Sequence, residues 1–393
     1  MQAGHLLSRS AEVADHHAVE CQAETLIIGA GPAGLAVAAC LKKRGASFVI
    51  LERASNVGSS WRHHYDRLHL HSVKNHSSLP YLDFSAQTPR YPSRDQTIAY
   101  LEQYANHFGL MPQFGEEVDS VTACDKGWIT TTKHRVYRSN QVVIATGYNA
   151  IPHVPRWPGQ ECFRGRILHS GEYRNGKPFC GQSVLVIGFG NSGGEIAVDL
   201  HEHGAHVTMS VRGTVNVVPR EILHLSIVTV SIALSRLPAR LADALAAPLL
   251  RLTIGDLAKL GFRKAASGPI TQIKERSRVP LIDIGTIDLV RAGQIEIRGG
   301  VRSMSETHVT FEDGSSRGFD AIVLATGFRP GIERFLQRHN DVFVKDRTHG
   351  ESTVMGDPGL YFCGFFVSPT GMLRDIAMEA RRIAEHITRR SFT

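Results

Sequence analysis

The sequence predicts an α/β protein that contains two copies of one nucleotide-binding unit. The short apolar run ETLII at 24–28 leads into GAGPAGLAVAACLKKRG and then into the second apolar run SFVILE. The same order recurs from residue 183, where SVLVI leads into GFGNSGGEIAVDLHEHGA and then into HVTMSVR. A strand, a glycine turn, an amphipathic helix and a second strand open a doubly wound domain. We therefore expect two dinucleotide-binding, Rossmann-like domains.

The composition is that of a globular protein with two domains. Of 393 residues, 42% are hydrophobic, and 44 Lys and Arg against 37 Asp and Glu give a net charge of +7. This excess favours anionic ligands. Without a compact basic run with interleaved aromatic residues, we expect no nucleic-acid partner. Six scattered cysteines without a CxxC pair predict thiols in a reducing compartment and a cytoplasmic location.

The two units divide the chain. Residues 1–22 lack the apolar core of a signal peptide and predict a disordered leader. We expect one domain to be interrupted by the other, with the first part at 23–177, the inserted domain at 178–328 and the second part at 329–393. The last domain part contains a predicted helix with the sequence MLRDIAMEARRIAEHITRR.

One apolar segment, 222–262, predicts helices broken at Pro238 and Pro248. Its longest apolar stretch, ILHLSIVTVSIALS, is too short and too interrupted to span a membrane. The segment would either roof a hydrophobic tunnel or rest on a membrane surface, and we favour the buried roof. No membrane span is expected, whereas contact with a membrane surface stays open.

The first glycine turn predicts a site for a pyrophosphate and a ribose. Gly29 permits the tight turn, Gly31 lets the backbone approach the pyrophosphate, and Gly34 lets the helix pack close to the strand. Glu52 ends the second strand 52 − 29 = 23 positions on, where a carboxylate accepts hydrogen bonds from an adenosine ribose. Arg53 follows it and is a further candidate for the same ligand. These residues alone do not separate FAD from NAD.

The segment after Glu52 favours FAD. A dehydrogenase would enter another helix here, whereas this chain has Gly58-Ser59-Ser60-Trp61. A tryptophan beside a loop of small residues suits a wall packed on a flavin. We therefore predict that Trp61 lies against the flavin of FAD.

The second glycine turn predicts a site for NADPH. Its three glycines repeat the spacing of the first turn at Gly188, Gly190 and Gly193. Its second strand leads not to an acid but to Arg212, and a cation there suits the 2′-phosphate of NADP. Two polar residues at the start of the helix are candidates for pyrophosphate contacts or for caps, namely Asn191 and Ser192.

Two further runs match each other, VVIATGYNAIP at 142–152 and IVLATGFRPG at 322–331. Each is an apolar strand that ends in Ala-Thr-Gly and an aromatic residue, and each follows its own glycine turn. The first predicts contacts with FAD from Ala145, Thr146 and Gly147. The second predicts contacts with NADP from Thr326 and Gly327.

A cluster just before the second unit narrows the class. The stretch FRGRILHSGEYR contains Phe163, Gly165, His169, Tyr173 and Arg174. This FxGxxxHxxxYR pattern closely resembles the signature of class B flavin-containing monooxygenases, whereas Baeyer–Villiger monooxygenases carry a tryptophan pair in place of Tyr-Arg. Further segments, among them LERASNVGSSW, YDRLHLH and ATGFRPG, are similar to the YUCCA-type subfamily. The similarity covers nearly the whole chain apart from the leader.

The resemblance implies a glutathione-reductase-like architecture, in which an NADP domain is inserted into an FAD domain. It implies FAD and NADPH as cofactors, molecular oxygen as co-substrate and a C4a-(hydro)peroxyflavin as the oxygenating species. The implied reaction is oxidative decarboxylation of an aromatic 2-oxo acid such as indole-3-pyruvate. The signature would hold both cofactors in register, with His169 and Arg174 bonding across the domain junction and Gly165 permitting the tight chain path.

Candidates for substrate contact are less specific. Asn75 or His71 would lie near the flavin edge, and a cation near the substrate carboxylate would be Lys74, Arg67 or Arg220. In this architecture the start of the last helix would face the flavin pyrimidine edge, with its candidates Gly364, Thr370, Gly371 and Met372. Residues 71–78 match the subfamily poorly, so substrate identity stays open.

Four alternatives remain at this point. The same cofactors could oxygenate the nitrogen or sulfur of a small amine or sulfide, or carry out Baeyer–Villiger oxidation of a ketone. A non-oxygenating NAD(P)H-dependent flavin reductase could pass electrons to a disulfide or a quinone. A non-catalytic redox sensor would keep both cofactor sites. No metal site and no oligomeric state are predicted.

Overall fold

The computed structural model describes residues 19–336, 359–367 and 369–390. Residues 1–18 of the predicted leader lie outside this range, as do 337–358, 368 and 391–393 of the predicted last domain part. Residues 19–22, which we assigned to the leader, instead begin the first strand, because Val19–Ala23 pair with Arg135–Ser139. One mixed sheet and one parallel sheet, with helices packed on them, form the cores of the two units.

The first sheet is built around two long neighbouring strands, β1 and β6, which pair in parallel along their whole length. The first half of β6 also pairs with an antiparallel strand, and its second half with the parallel strand β23. The strands of this sheet are β1 Val19–Ile28, β2 Phe48–Glu52, β3 Gln113–Phe114, β4 Val118–Cys124, β5 Gly127–Thr132, β6 Arg135–Ile144 and β23 Leu360–Phe362.

The second sheet has five parallel strands in the order β17-β10-β9-β21-β8. They are β8 Arg166–His169, β9 Ser183–Ile187, β10 His206–Ser210, β17 Ile295–Arg298 and β21 Ala321–Leu324. The strand β8 precedes the predicted domain boundary at 178 but pairs within this second sheet. A three-stranded antiparallel sheet follows β17, formed by β18 Val301–Met304, β19 His308–Phe311 and β20 Ser316–Gly318.

The remaining strands form four short two-stranded ribbons. The pair β7 and β22 joins the two places where the chain crosses between the units. The ribbons are β7 Ile151–Pro152 with β22 Phe328–Arg329, β11 Thr214–Val215 with β15 Arg263–Lys264, β12 Val217–Pro219 with β16 Leu281–Asp283, and β13 Glu221–Ile222 with β14 Leu225–Ser226.

The helices pack on the sheets or form a roof above the junction of the units. Helix α1 is buried from Ala33 to Leu41 because small and apolar residues occupy both its faces. The α-helices are α1 Pro32–Lys43, α2 Ser59–Arg62, α3 Arg94–His107, α4 Asn191–Glu202, α5 Ile227–Leu234, α6 Ala239–Ile254, α7 Pro269–Arg276, α8 Thr286–Arg291 and α9 Met372–Arg390. None of the described helices is long and apolar enough to cross a membrane.

The apolar segment differs in detail from its prediction. Residues 221–226 form a hairpin, so the first helix begins only at Ile227. Pro238 does end the first helical stretch, but Pro248 lies inside α6. Proline removes one helical hydrogen bond, and the carbonyl it frees belongs to exposed Ala244, where water can replace the lost donor.

Candidate active site

The first glycine turn leaves room for a pyrophosphate at the start of α1. A Cβ on Gly34 would lie 1.9 Å from the carbonyl oxygen of Gly29, so only glycine lets the helix pack this closely. A Cβ on Gly31 would meet no atom of the described residues within 4 Å. The backbone there faces open space in front of the helix N-terminus, which favours an anion. The turn therefore fits the pyrophosphate of a dinucleotide.

Glu52 ends β2 and braces this turn with its buried carboxylate. Its Oε2 accepts a 2.7 Å hydrogen bond from the Ala30 amide, and its Oε1 accepts a 2.9 Å hydrogen bond from the Ala54 amide. A carboxylate can accept about four hydrogen bonds, so lone pairs remain for ribose hydroxyls. Arg53 is exposed. The ribose contact itself stays a prediction.

The second glycine turn has the same geometry. A Cβ on Gly193 would lie 2.4 Å from the carbonyl oxygen of Gly188, and a Cβ on Gly190 would meet no described atom within 4 Å. Arg212 lies two residues beyond β10, exposed and without an ion pair in the described part of the chain. Its charge is therefore available to a phosphate, which fits the predicted NADP site.

The two polar residues at the start of α4 have partners within the protein. The Asn191 side-chain oxygen accepts a 2.8 Å hydrogen bond from the Ile282 amide and ties α4 to β16. Ser192 is half-buried and lies beside the Tyr65 hydroxyl. Asn191 nevertheless keeps part of its surface on the large cavity described below.

The two Ala-Thr-Gly turns differ in what they contact. In the first, Ala145 is buried, whereas Thr146 and Gly147 line the cavity. The buried Thr146 hydroxyl has no hydrogen-bond partner among the described residues, so it is free for a ligand. In the second, the Thr326 hydroxyl donates to the His153 carbonyl and thereby joins the two crossing segments.

The first part of the signature packs tightly against the second sheet. Phe163 belongs to an apolar cluster of that unit, and a Cβ on Gly165 would lie 2.4 Å from the Asp320 carbonyl oxygen. The buried Tyr173 hydroxyl donates a 2.6 Å hydrogen bond to Asp199 of α4. These contacts fix the signature to the second unit.

Of the remaining signature residues, Arg174 reaches across the junction as predicted, whereas the predicted bond of His169 across it is wrong, because His169 in β8 contacts the loop after β21 of the same sheet. Arg174 Nη1 donates to the carbonyl oxygens of Arg62 and His64, at 2.9 and 3.0 Å, in the loop that follows Trp61. His169 Nε2 lies 3.1 Å from the Gly327 carbonyl oxygen. Burial lowers the pKa of His169, so this imidazole is neutral near neutral pH. The signature thus connects the Trp61 loop to the second unit.

A cavity of about 570 Å³ lies where the two units meet. One wall consists of residues predicted to hold FAD, namely Trp61, Thr146, Gly147, Gly364, Gly371 and Met372. The opposite wall includes Asn191 at the start of α4. Apolar side chains of α5, α6 and α7 close the top, which confirms the predicted roof over a hydrophobic space. The volume lies in the range of small-molecule and cofactor sites, and the mostly apolar lining suits aromatic and apolar ligands.

The start of α9 is held by buried acidic residues. The Gly364 amide donates a 2.8 Å hydrogen bond to the carboxylate of Glu379, which lies further along α9. The Thr370 hydroxyl donates a 2.7 Å hydrogen bond to Asp375. These contacts fix the backbone beside Gly371 and Met372, both of which line the cavity.

The structure corrects several expectations about substrate contact. Asn75 is exposed and does not line the cavity. The Lys74 ammonium donates to three carbonyl oxygens between residues 85 and 88, so it anchors a loop. Arg67 pairs with Glu202, and Arg220 lies over the Tyr91 ring at 4.5 Å. A loop backbone, a carboxylate and an aromatic ring therefore engage Lys74, Arg67 and Arg220 respectively.

Among these candidates, His71 does line the cavity. Its Nε2 lies 2.9 Å from Oε1 of Glu195, a residue of α4 that is only 2% exposed. Glu195 was not predicted as a site residue, although it is the one charged residue in the run NSGGEIAV, which could have indicated a buried functional carboxylate. His64 was also not predicted, and it lines the same cavity with its ring 6.1 Å from that of Trp61.

The family model and the similar proteins of known name both indicate a flavin-dependent oxidoreductase family. Residues 26–230 match the family described as "Pyridine nucleotide-disulphide oxidoreductase". The chain is similar to the indole-3-pyruvate monooxygenase YUCCA1 of Oryza sativa subsp. japonica, with 40% identity over 348 residues and 86% of each chain covered. It is also similar to the probable indole-3-pyruvate monooxygenase YUCCA1 of Arabidopsis thaliana, with 39% identity, covering 92% of this chain and 89% of the relative.

A solved structure supports the architecture. The flavin-containing monooxygenase from Stenotrophomonas maltophilia superimposes with a TM-score of 0.71 at 23% identity, covering 94% of this chain and 99% of the other. At this identity the match speaks to the fold alone. The predicted pair of Rossmann-like units in one flavoprotein fold is confirmed.

Proposed function

Because this chain belongs to the YUCCA-type family of FAD-dependent flavin monooxygenases, we propose that it oxidatively decarboxylates an aromatic 2-oxo acid, with indole-3-pyruvate as the first candidate. The cofactors of the enzyme are FAD and NADPH, and it uses molecular oxygen and a small-molecule substrate. The observation that carries the proposal is the 40% identity to a protein named for this reaction.

The reaction balances with one equivalent of each reactant. NADPH and a proton supply two electrons, and one oxygen atom leaves as water. The other oxygen atom enters the new carboxyl group at the former keto carbon. The bond between the keto carbon and the old carboxylate breaks, and carbon dioxide is released.

We assign the cofactor contacts as part of this proposal. FAD, when bound and reduced by NADPH, activates molecular oxygen. The first glycine turn and Glu52 hold its adenosine diphosphate part, while Trp61 and the start of α9 flank its ring. The second glycine turn and Arg212 hold NADPH. The first unit, 23–177 with 329–393, binds FAD, and 178–328 binds NADPH, with β8 contributed from before the boundary.

The chain itself excludes water and keeps the two cofactor sites in register. The apolar roof of α5, α6 and α7 leaves few groups that could hydrogen-bond to water near the reacting atoms. Arg174 fixes the Trp61 loop to the second unit, so the flavin wall and the start of α4 keep one spacing. This positioning limits loss of reducing equivalents to free hydrogen peroxide.

The test uses the purified holoenzyme with NADPH, oxygen and indole-3-pyruvate. We expect NADPH consumption, carbon dioxide release and indole-3-acetate formation in equal amounts. Small aliphatic 2-oxo acids should react more slowly than indole-3-pyruvate and phenylpyruvate, because they bury less apolar surface against the roof. NADPH consumption that yields only hydrogen peroxide with every 2-oxo acid would contradict the proposal.

One observation favours a second candidate, oxygenation of the nitrogen or sulfur of a small neutral compound. Within the described residues, the cavity lining includes no lysine or arginine that could bind a carboxylate. The same assay with methyl tolyl sulfide and dimethylaniline separates the two. Faster turnover of these compounds than of any 2-oxo acid would favour this second candidate.

We propose a cytoplasmic location, which the unpaired cysteines and the use of NADPH support. Contact with a membrane surface is a further part of the proposal. Leu241, Leu245 and Leu252 of α6 are exposed together with Arg240 and Arg251 of the same helix. Sedimentation with vesicles that contain anionic lipid tests this contact, and absence of the enzyme from the pellet would exclude it.

A further inference from the structure

The cavity has few groups that could meet the carboxylate of a 2-oxo acid. In the described part of the chain, its lining includes no lysine, arginine, aspartate or glutamate, and its two imidazoles belong to His64 and His71. Burying a carboxylate without a charged or hydrogen-bonding partner is costly. Neutral groups such as the Thr146 hydroxyl could hydrogen-bond to a carboxylate, but within the described lining only these two histidines could also offer it a positive charge.

His64 is unsuited to this role. Burial and the neighbouring guanidinium groups of Arg174 and Arg94 lower the pKa of His64 to about 4. Both arginines donate hydrogen bonds to the His64 backbone carbonyl, so they are fixed beside the ring. The imidazole of His64 is thus neutral at neutral pH and carries no charge for a carboxylate.

His71 has the opposite surroundings. Its Nε2 lies 2.9 Å from Oε1 of Glu195, and no other donor in the described ranges is aligned on that oxygen. The contact is an ion-pair contact, not an aligned hydrogen bond. The second neighbour of Glu195 is the Tyr65 hydroxyl, whose pKa burial and the Glu195 charge hold well above its usual value. Tyr65 therefore stays a neutral hydroxyl, and among the described residues His71 is the only basic side chain within ion-pair distance of Glu195.

The other ring nitrogen of His71 remains for a ligand. No hydrogen bond to His71 Nδ1 occurs among the residues that the structure describes, and the side chain is 18% exposed on the cavity. An imidazolium with Glu195 on one nitrogen can donate a charge-assisted hydrogen bond from the other. The pair spans the two units, since His71 belongs to the first and Glu195 to α4 of the second.

We propose that His71 binds the carboxylate of the 2-oxo acid, and that Glu195 positions its imidazole from across the junction. This inference rests on the proposed function and names the specificity contact within it. His71 is then the substrate-binding residue, whereas Glu195 acts only through His71.

The experiment measures binding to the oxidised holoenzyme with NADP⁺, so it does not depend on turnover. Indole-3-acetate and its neutral analogue indole-3-acetamide are titrated, and the shift of the flavin absorbance gives each Kd. In His71→Gln we expect the acid to bind about tenfold more weakly, as loss of a charge-assisted hydrogen bond predicts. The amide should change by less than about twofold.

Two variants complete the comparison. His64→Gln makes the same substitution in the other cavity imidazole and should leave the ratio of acid to amide affinity as in the wild type. Glu195→Gln keeps the shape of α4 and should weaken acid binding about threefold, with an unchanged KM for NADPH. If His71→Gln does not retain FAD, the acid and amide affinities of Glu195→Gln test the proposal by themselves.

The outcomes separate this inference from the proposed function. If His71→Gln weakens the binding of acid and amide equally, the carboxylate contact is overturned. It is also overturned if His64→Gln selectively weakens the binding of the acid. A raised KM for NADPH in Glu195→Gln with intact acid binding would also overturn it. Selective acid binding through His71 in an enzyme that fails to decarboxylate indole-3-pyruvate would leave the contact standing and refute only the proposed reaction.

Discussion

His64 and His71 show how neighbours decide what one residue type can do. Both imidazoles border one cavity, yet Arg94 and Arg174 flank the first and Glu195 faces the second. Two nearby cations disfavour a third positive charge, whereas a buried carboxylate favours one. Identical side chains thus face neighbours of opposite charge within one cavity, and the surroundings of His64 have a measurable effect on stability.

We expect His64 to make the folded enzyme less stable in acid. Its pKa is about 4 in the folded protein and 6.5 in a model compound, so only the unfolded chain binds a proton between these values. The free energy of unfolding should fall as pH decreases from 6.5 to 4, by roughly 3 kcal/mol from this residue. Urea midpoints of the holoenzyme across this range should fall less steeply in His64→Gln.

The exposed neighbour His63 supplies the control for this prediction. Its ring is on the surface, so His63→Gln should keep the steep pH dependence of the wild type. Parallel curves for wild type and His64→Gln would contradict the assigned pKa.

Sequence reasoning identified the glycine positions but not the partners of the charged residues. Gly34 and Gly193 were predictable because their close approach to a strand admits no side chain. Lys74 was misassigned, since its role depends on three carbonyls of a loop more than ten residues away. The Glu195 contact joins two units, and no local pattern around His71 predicts it.

At the scale of elements, the roof depends on one helix capping another. Gly268 precedes α7 without a side-chain cap, but the Asp243 carboxylate of α6 accepts 2.9 Å hydrogen bonds from the amides of Ile270 and Thr271. The cap is buried, and α7 carries cavity-lining side chains. The start of one roof helix is therefore satisfied only while the other is in place.

We expect Asp243→Ala to destabilise the roof by about 1–3 kcal/mol, because two buried amides lose their acceptor. The thermal midpoint of the holoenzyme should fall, and protease should cleave between α6 and α7. Asp256→Ala is the matched control, since Asp256 caps a short exposed helix at Leu257–Leu260. A roof that withstands protease in Asp243→Ala as in the control would refute this dependence.

Element prediction succeeded where the pattern was local. The last helix spans Met372–Arg390, as its sequence predicted. The residues around Pro248 were misjudged because a proline tolerated on the exposed face of a helix looks like a break in sequence alone. The bounds of β1 extend to Val19 because of pairing with β6, a strand more than a hundred residues away.

At the scale of the whole molecule, the signature joins the two units to which we assign one cofactor each. Arg174 makes two hydrogen bonds to the Trp61 loop, and Tyr173 next to it bonds to α4. A single short segment thus sets the distance between the cavity wall around Trp61, which we assign to FAD, and the start of α4, which we assign to NADPH. Coupling of NADPH use to product formation should depend on it.

We expect Arg174→Lys to raise the hydrogen peroxide formed per NADPH about threefold, since the lysine side chain is one atom shorter and its ammonium does not reach the position from which Nη1 donates to both carbonyls. Peroxide and carbon dioxide yields with indole-3-pyruvate measure this uncoupling. Arg164→Lys is the control, because Arg164 lies in the same signature stretch but pairs with Glu306 at the surface. Tight coupling in Arg174→Lys would show that the junction tolerates this change.

The ribbon of β7 and β22 brings the two ends of the second unit together, so this unit resembles an insert that can be exchanged. Ile151 pairs with Arg329 and Pro152 with Phe328, so the chain leaves and re-enters the first unit at adjacent points, roughly 5 Å apart. An insert whose ends meet imposes little closure entropy on its host. Such a unit can be excised, circularly permuted or replaced by a nucleotide-binding module of another preference without lengthening either linker. The architecture therefore lends itself to recombination, in which the proposed NADPH site would move as one segment.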